Sequence, residues 1–300
     1  MKLNPLADNI KRITERIINL PTLPTVVSRM IDLVDSPRTS ALSLARLISM
    51  DQALTARILK LANSAYYGFS QEITTVDRAI VVIGFNTVRE MGLSLSILDV
   101  FKANPNGNIF DIAKFWEHSI GCGVASRMIA RRFGLPLISE AFVTGLLHDI
   151  GKIVLCQYAP REFEEIMTLV SMKNVDLDTA EMSIIGVGHA QIGGWLATKW
   201  RLPTLINECI AFHHDPWNEK VEQPAMVAAV NLADYLCHAN AIGKSGRATA
   251  PALDPRIWDI FLKEKIPFDE TVIDELHSSF LFEYDEAQTF VSFLNEQSAR

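Results

Sequence analysis

The chain has 300 residues, 49% of them hydrophobic, and a formal net charge of −7. That length and composition suit one or two folded domains with a substantial core, and they exclude a disordered or low-complexity chain. The acidic balance removes the general basic footprint of a nucleic-acid binder, so no nucleic-acid partner is expected.

The first residues, Met1-Lys2-Leu3-Asn4-Pro5, carry no apolar signal-peptide region, and the apolar stretch 79–98 is interrupted by Arg89 and Glu90. Cytoplasmic residence without membrane insertion is therefore expected. The four cysteines, Cys122, Cys156, Cys209 and Cys237, are widely spaced and lie mostly in apolar runs, which reads as reduced core thiols.

The periodicity is helical from one end to the other. Val27, Met30, Ile31 and Val34 form the first stripe, followed by the run 42–48 and then Leu54, Ile58 and Leu61. Asp51 is placed to start the last of these helices and Gly68 to end it. Two short helices in succession suggest a helix-turn-helix, with Arg46, Arg57 and Lys60 as phosphate contacts, but the chain has no sustained basic stripe and a solvated face explains them as well. Residues 104–108, Asn-Pro-Asn-Gly-Asn, make the best internal boundary. They divide an amino-terminal helical module, 1–108, from a second helical module with a carboxy-terminal helical extension, 109–300.

The second module opens with an amphipathic run over 111–131, with Asp111 as its cap, that carries His118. The sharpest local piece follows at 145–152, Gly-Leu-Leu-His-Asp-Ile-Gly-Lys, which sets His148 and Asp149 side by side with Lys152 four positions after the histidine. Gly145 and Gly151 allow close approach of whatever lies beside them. His189 follows a glycine-rich connection. His213-His214 end the apolar segment 205–212 before the helix stop Asp215-Pro216. Asp234 sits in the run 225–236, so apolar that an ionised carboxylate there needs a cation or hydrogen-bond donors. A loop at 243–247 leads into terminal helical periodicity at Val272, Ile273, Leu276, Phe290, Phe293 and Leu294.

His118, His148, Asp149, His189, His213, His214 and Asp234 are all metal-ligand types, and seven are too many for one tetrahedral ion. Imidazole with carboxylate suits Fe, Mn, Zn or Ni. Blander readings stand beside this one: a core histidine at 118, a hydrogen-bonded His148 with Asp149 paired to Lys152, surface histidines at 213 and 214, and an Asp234 held by arginine or backbone amides.

On these residues the chain resembles the HD superfamily of metal-dependent phosphohydrolases, and more closely its HDOD branch. The HDOD likeness also runs through 20–24, 51–55, 61–68, Ala79-Ile80, Ile83-Gly84 and Trp200-Arg201-Leu202-Pro203. The resemblance implies an all-α bundle holding two divalent or transition-metal ions, iron first and Mn or Zn as alternatives. His118, His148, Asp149 and Asp234 match the ligands of one ion; His189, His213 and His214 match those of the second, and Asp149 bridges. Asp149 and Lys152 become the catalytic candidates, the lysine as a phosphate contact. The HDOD branch implies a signalling or regulatory role with a protein partner. The wider superfamily implies hydrolysis of a nucleotide or another phosphate-containing small molecule. His213-His214 is followed by Asp215-Pro216-Trp217 and not by glycine-tyrosine-proline, which departs from the related cyclic-di-GMP phosphodiesterases.

Overall fold

The computed structural model describes residues 23, 28–30, 40–63, 71–101, 110–247 and 251–287. Among them every regular element is a helix, and none is long and apolar enough to cross a membrane. The described residues fall into two compact units: 23 to 101 together with 282–287, and 110 to 281. The expected boundary at 104–108, the end of the HDOD-like stretch at Ser64 to Gly68, and Phe290, Phe293 and Leu294 lie outside the described residues, as does most of the stripe around Met30.

In the first unit, α1 (Ala41–Ser49) is capped by Ser40, whose hydroxyl accepts from Ser43 N, and it buries Leu44, Ala45, Leu47 and Ile48. Asp51 caps α2 (Gln52–Ala62), accepting from Leu54 N at 3.0 Å. The sequence puts the end of this helix at Gly68, but it stops six residues earlier. Asn63 leaves helical geometry there, and its side chain bonds the backbone of Ile73 at 2.7 and 2.8 Å. Helices α3 (Val76–Ile83) and α4 (Phe85–Val100) follow in the same unit. Arg57, a sequence candidate for phosphate contact, forms a two-pronged ion pair with Asp99, so its charge is already matched within the fold.

The second unit begins with α5 (Ile112–Phe133), capped by Asp111 as expected and closed by Gly134 in the left-handed region at φ 62°. After it come α6 (Ile138–Leu147), α7 (Ile150–Tyr158), α8 (Pro160–Lys173), α9 (Leu177–Ile184), α10 (His189–Lys199), α11 (Thr204–Phe212), α12 (Pro224–Ala239) and α13 (Arg256–Lys263). The last, α14 (Glu270–Glu286), buries Leu276 and Phe280, and its residues from 282 on belong to the first unit. Helix α5 packs against α6 and α12, and α10 packs against α7 and α11. Two glycines set the closeness of these pairs. A Cβ on Gly145 would lie 2.4 Å from the Cys122 carbonyl oxygen on α5, and one on Gly151 would lie 1.9 Å from the His189 carbonyl oxygen on α10.

Candidate metal centre

The four-residue spacing puts Lys152 on the same helical face as His148 if one helix runs through both. The structure corrects this: α6 ends at Leu147 and α7 begins at Ile150, so the doublet occupies the joint between two helices. The bend resolves a geometric difficulty, because adjacent side chains on an unbroken helix diverge by about 100°. Here both turn into the same interior. Lys152, a turn into α7, points back and donates to Asp149 Oδ2 at 2.5 Å.

All seven sequence candidates converge, drawn from α5, the α6–α7 joint, the start of α10, the end of α11 and the middle of α12. Near α5 and α12, His118 Nε2 lies 3.0 Å from Asp234 Oδ1, which is 3.7 Å from His148 Nε2. Cys122, one turn after His118, joins this group with Sγ 3.4 Å from His118 Nε2. The neighbouring group comprises Asp149, His189, His213 and His214. Asp149 Oδ1 is 3.2 Å from His189 Nε2 and 3.5 Å from His213 Nε2, while His189 Nε2 and His214 Nε2 are 3.1 Å apart. Asp149 also lies 3.4 Å from His148, so it stands between the groups. Within each four-residue group the potential donor atoms lie within 4.8 Å of one another.

The far side of each ring explains why these nitrogens face inward. His118 Nδ1 bonds the Ile242 carbonyl, His148 Nδ1 the Gly145 carbonyl, and His213 Nδ1 the Ile210 carbonyl, at 3.2, 2.7 and 2.9 Å. His189 Nδ1 bonds Glu181 Oε2 at 2.8 Å, and the same oxygen accepts from His189 N. Carbonyl and ionised carboxylate oxygens only accept, so each Nδ1 carries the proton. In the neutral ring the lone pair is then on Nε2, aimed at the cluster. This is the arrangement of histidines that bind metal through Nε2 while a second group fixes the ring.

Burial works against charge at every one of these groups, and neighbours decide the outcome. Against that burial, His148 and Lys152 hold the Asp149 carboxyl well below its usual range, and His118, His148 and His238 do the same for Asp234. Burial lowers the His118 imidazole, but Cys122 and Asp234 beside it raise it to about 10. Burial likewise opposes His189, and Glu181 with Asp149 lifts it to about 9. At His213 and His214 burial prevails and both are lowered. Anionic carboxylates thus sit among neutral and protonated imidazoles.

Three atoms at the heart of this arrangement, His148 Nε2, Asp149 Oδ1 and His213 Nε2, are buried and make no hydrogen bond. Buried polar atoms left so are uncommon and costly. Their convergence, with nitrogen and oxygen donors at the spacings above, fits a divalent cation.

The HDOD domain profile matches residues 20–216, about two thirds of the chain. The chain belongs to the HDOD domain family. An HDOD domain protein of unknown function from Geobacter sulfurreducens is 28% identical with a TM-score of 0.80, over 94% of this chain and 97% of that one. Two further crystal structures share the fold. One, provisionally named a signal transduction protein, from Marinobacter aquaeolei VT8, is 19% identical with a TM-score of 0.78 over 98% of this chain and 67% of its own. The other, from Shewanella amazonensis SB2B and provisionally named a phosphohydrolase, is 23% identical with a TM-score of 0.73 over 95% and 97%. A curated but uncharacterised protein of Treponema pallidum (strain Nichols) is 25% identical over 223 residues, 74% of this chain; the chain spans 43% of that relative's length.

The cluster of this HDOD chain has further members that the sequence did not single out. Glu181 orients His189, and Asp178 Oδ1 lies 3.6 Å from His189 Nδ1 and 3.7 Å from His214 Nε2. Arg247 donates to Asp176 and Asp178 at 2.9 and 2.8 Å, with Nη2 3.1 Å from His214 Nε2. His238, one turn after Asp234, has Nε2 3.4 Å from Asp234 Oδ1 and 3.0 Å from Ser245 Oγ. The i,i+4 spacings of Cys122 from His118 and His238 from Asp234 were a usable signal. Nothing in sequence spacing linked Asp178, Glu181 or Arg247 to the rest.

Proposed function

We propose that this chain is a metal-binding regulatory protein of the HDOD family whose HD-type centre takes two divalent or transition-metal ions, iron first and Mn or Zn as alternatives. The observation that carries this is enclosure. The atoms of His148, Asp149 and His213 that make no hydrogen bond meet among seven candidate ligands of which only His214 is appreciably open, its side chain 25% exposed. In this reading His118, His148 and Asp234 hold one ion, His189, His213 and His214 the other, and Asp149 bridges. Lys152 balances the charge of Asp149, and Glu181 fixes the ring of His189. Bound ions of this kind supply Lewis-acid activation of water and of phosphate oxygens. An enclosed centre instead favours locking five chain segments together, so that metal occupancy controls a surface offered to a signalling partner.

A second reading, a phosphohydrolase acting on a nucleotide or phosphate ester, draws on Arg247. Its guanidinium lies beside His214 at the open edge, where it could receive a phosphate. As placed, it is clamped by Asp176 and Asp178, so a phosphate would have to displace one of them.

Elemental analysis after chelator-free purification should find transition metal, reduced at both positions by Asp149→Ala and less so by Lys152→Ala. Metal-free protein at that step would sink the centre. Metal-replete protein should then be assayed with nucleotides, cyclic dinucleotides and a generic phosphodiester. Turnover that vanishes in Asp149→Ala while helicity persists would replace the regulatory reading with the hydrolytic one; metal-dependent partner binding without turnover supports it.

A further inference from the structure

We propose that Cys122 is a thiolate ligand of the first metal position, so that His118, Cys122, His148 and Asp234 hold that ion together with the bridging Asp149. This rests on the metal-centre reading above and adds a ligand that the seven-residue pattern does not contain.

Helix α5 supplies the reason that the sulfur is there. His118 and Cys122 are one turn apart and project from the same stripe of the helix. Cys122 Sγ is 3.4 Å from His118 Nε2, which is 3.0 Å from Asp234 Oδ1, itself 3.7 Å from His148 Nε2. A tetrahedral ion with nitrogen or oxygen at about 2.0–2.1 Å and sulfur at about 2.3 Å separates neighbouring donors by roughly 3.3–3.6 Å. The three measured edges straddle that range. His148 Nε2 points independently to a ligand, since it is buried, faces the same group and has no hydrogen-bond partner. None of the four cysteines is in a disulfide, so the Cys122 sulfur is available.

Coordination here requires no redox step. The thiol proton leaves for solvent, and the thiolate lone pair goes to the ion. Two consequences follow. The softer donor shifts the first position toward Zn or Fe(II) and away from Mn. With the bridging Asp149 the first position has five protein donors, so it holds less room for water than the second, and exchange or chemistry belongs to the second position.

The test is Co(II) added to metal-free full-length protein and followed by absorption. The expected result is a near-ultraviolet thiolate-to-cobalt charge-transfer band, lost in Cys122→Ser with cobalt still bound. The band should persist in Cys237→Ala, the control for the thiol neighbouring Cys122. Should Cys122→Ser fail to fold, X-ray absorption of the cobalt-loaded wild type decides: a sulfur neighbour at about 2.3 Å supports the proposal. A shell of nitrogen and oxygen alone overturns it and leaves the metal-centre reading intact. A band that survives Cys122→Ser, or disappears in Cys237→Ala, also overturns the assignment. If cobalt does not bind at all, both readings fall.

Discussion

His118 and His189 show how a metal site stores its protons when folded without the ion. Their imidazoles are raised to about 10 and about 9, against an ordinary value near 6.5. Because the folded values lie above the unfolded ones, their contribution to metal-free stability is complete below about pH 6.5. It is lost as pH rises through about 9 to 10. Metal affinity runs the other way, since a cation must displace the proton on Nε2. We expect apparent affinity to climb between about pH 6.5 and 9, by up to about tenfold per pH unit for each proton released. Chelator competition at several pH values, with proton release measured in two buffers, checks this. An affinity flat across that window would show that the ion displaces no proton from these imidazoles.

At the scale of elements, the chain's periodicity was a good guide to α5 and α12, though it overran the end of α2. The run 111–131 is α5 with its Asp111 cap, and 225–236 lies within α12. The break at His148-Asp149 was not legible because apolar residues continue on both sides, from Leu146-Leu147 to Ile150, with no proline to announce it. Its cause is tertiary: α7 must approach α10 closely enough for the carbonyl of His189 to face Gly151. Gly151→Ala would set a Cβ 1.9 Å from that oxygen, and backbone cannot swing aside as a flexible side chain can. We expect a loss at or above the upper end of the usual overpacking cost, about 3 kcal/mol, together with loss of bound metal as His189 is pushed from Asp149. Gly134→Ala is the comparison. It meets nothing within 4 Å but has φ +62°, so it should cost only about 1–2 kcal/mol and leave metal content unchanged. Urea unfolding and elemental analysis of both variants test the argument, and metal retained by Gly151→Ala at wild-type level would refute it.

For the whole molecule, the centre joins segments remote along the chain, with His118 and Asp234 116 residues apart and in direct contact. That distance is also why the sequence could name seven ligand types without grouping them by geometry, and why it did not attach Asp178, Glu181 or Arg247 to them. A cluster that unites such segments exists only in the folded state, so whatever binds it stabilises the fold by mass action. At a free metal concentration a hundredfold above Kd, one ion contributes about 2.7 kcal/mol. In a domain of roughly 150–250 residues each kcal/mol moves the melting temperature by about 2–4 °C, so a rise of about 5–11 °C is expected. Asp149→Ala, lacking the carboxylate between the two groups, should show no comparable rise. A titration of metal-free protein with Zn(II), Mn(II) and Fe(II), the last under anaerobic conditions, followed by thermal unfolding, gives the measurement and ranks the ions. If the wild type melts at one temperature across concentrations that demonstrably load the site, the ion does not fasten these helices, and regulation through metal-linked folding fails with it.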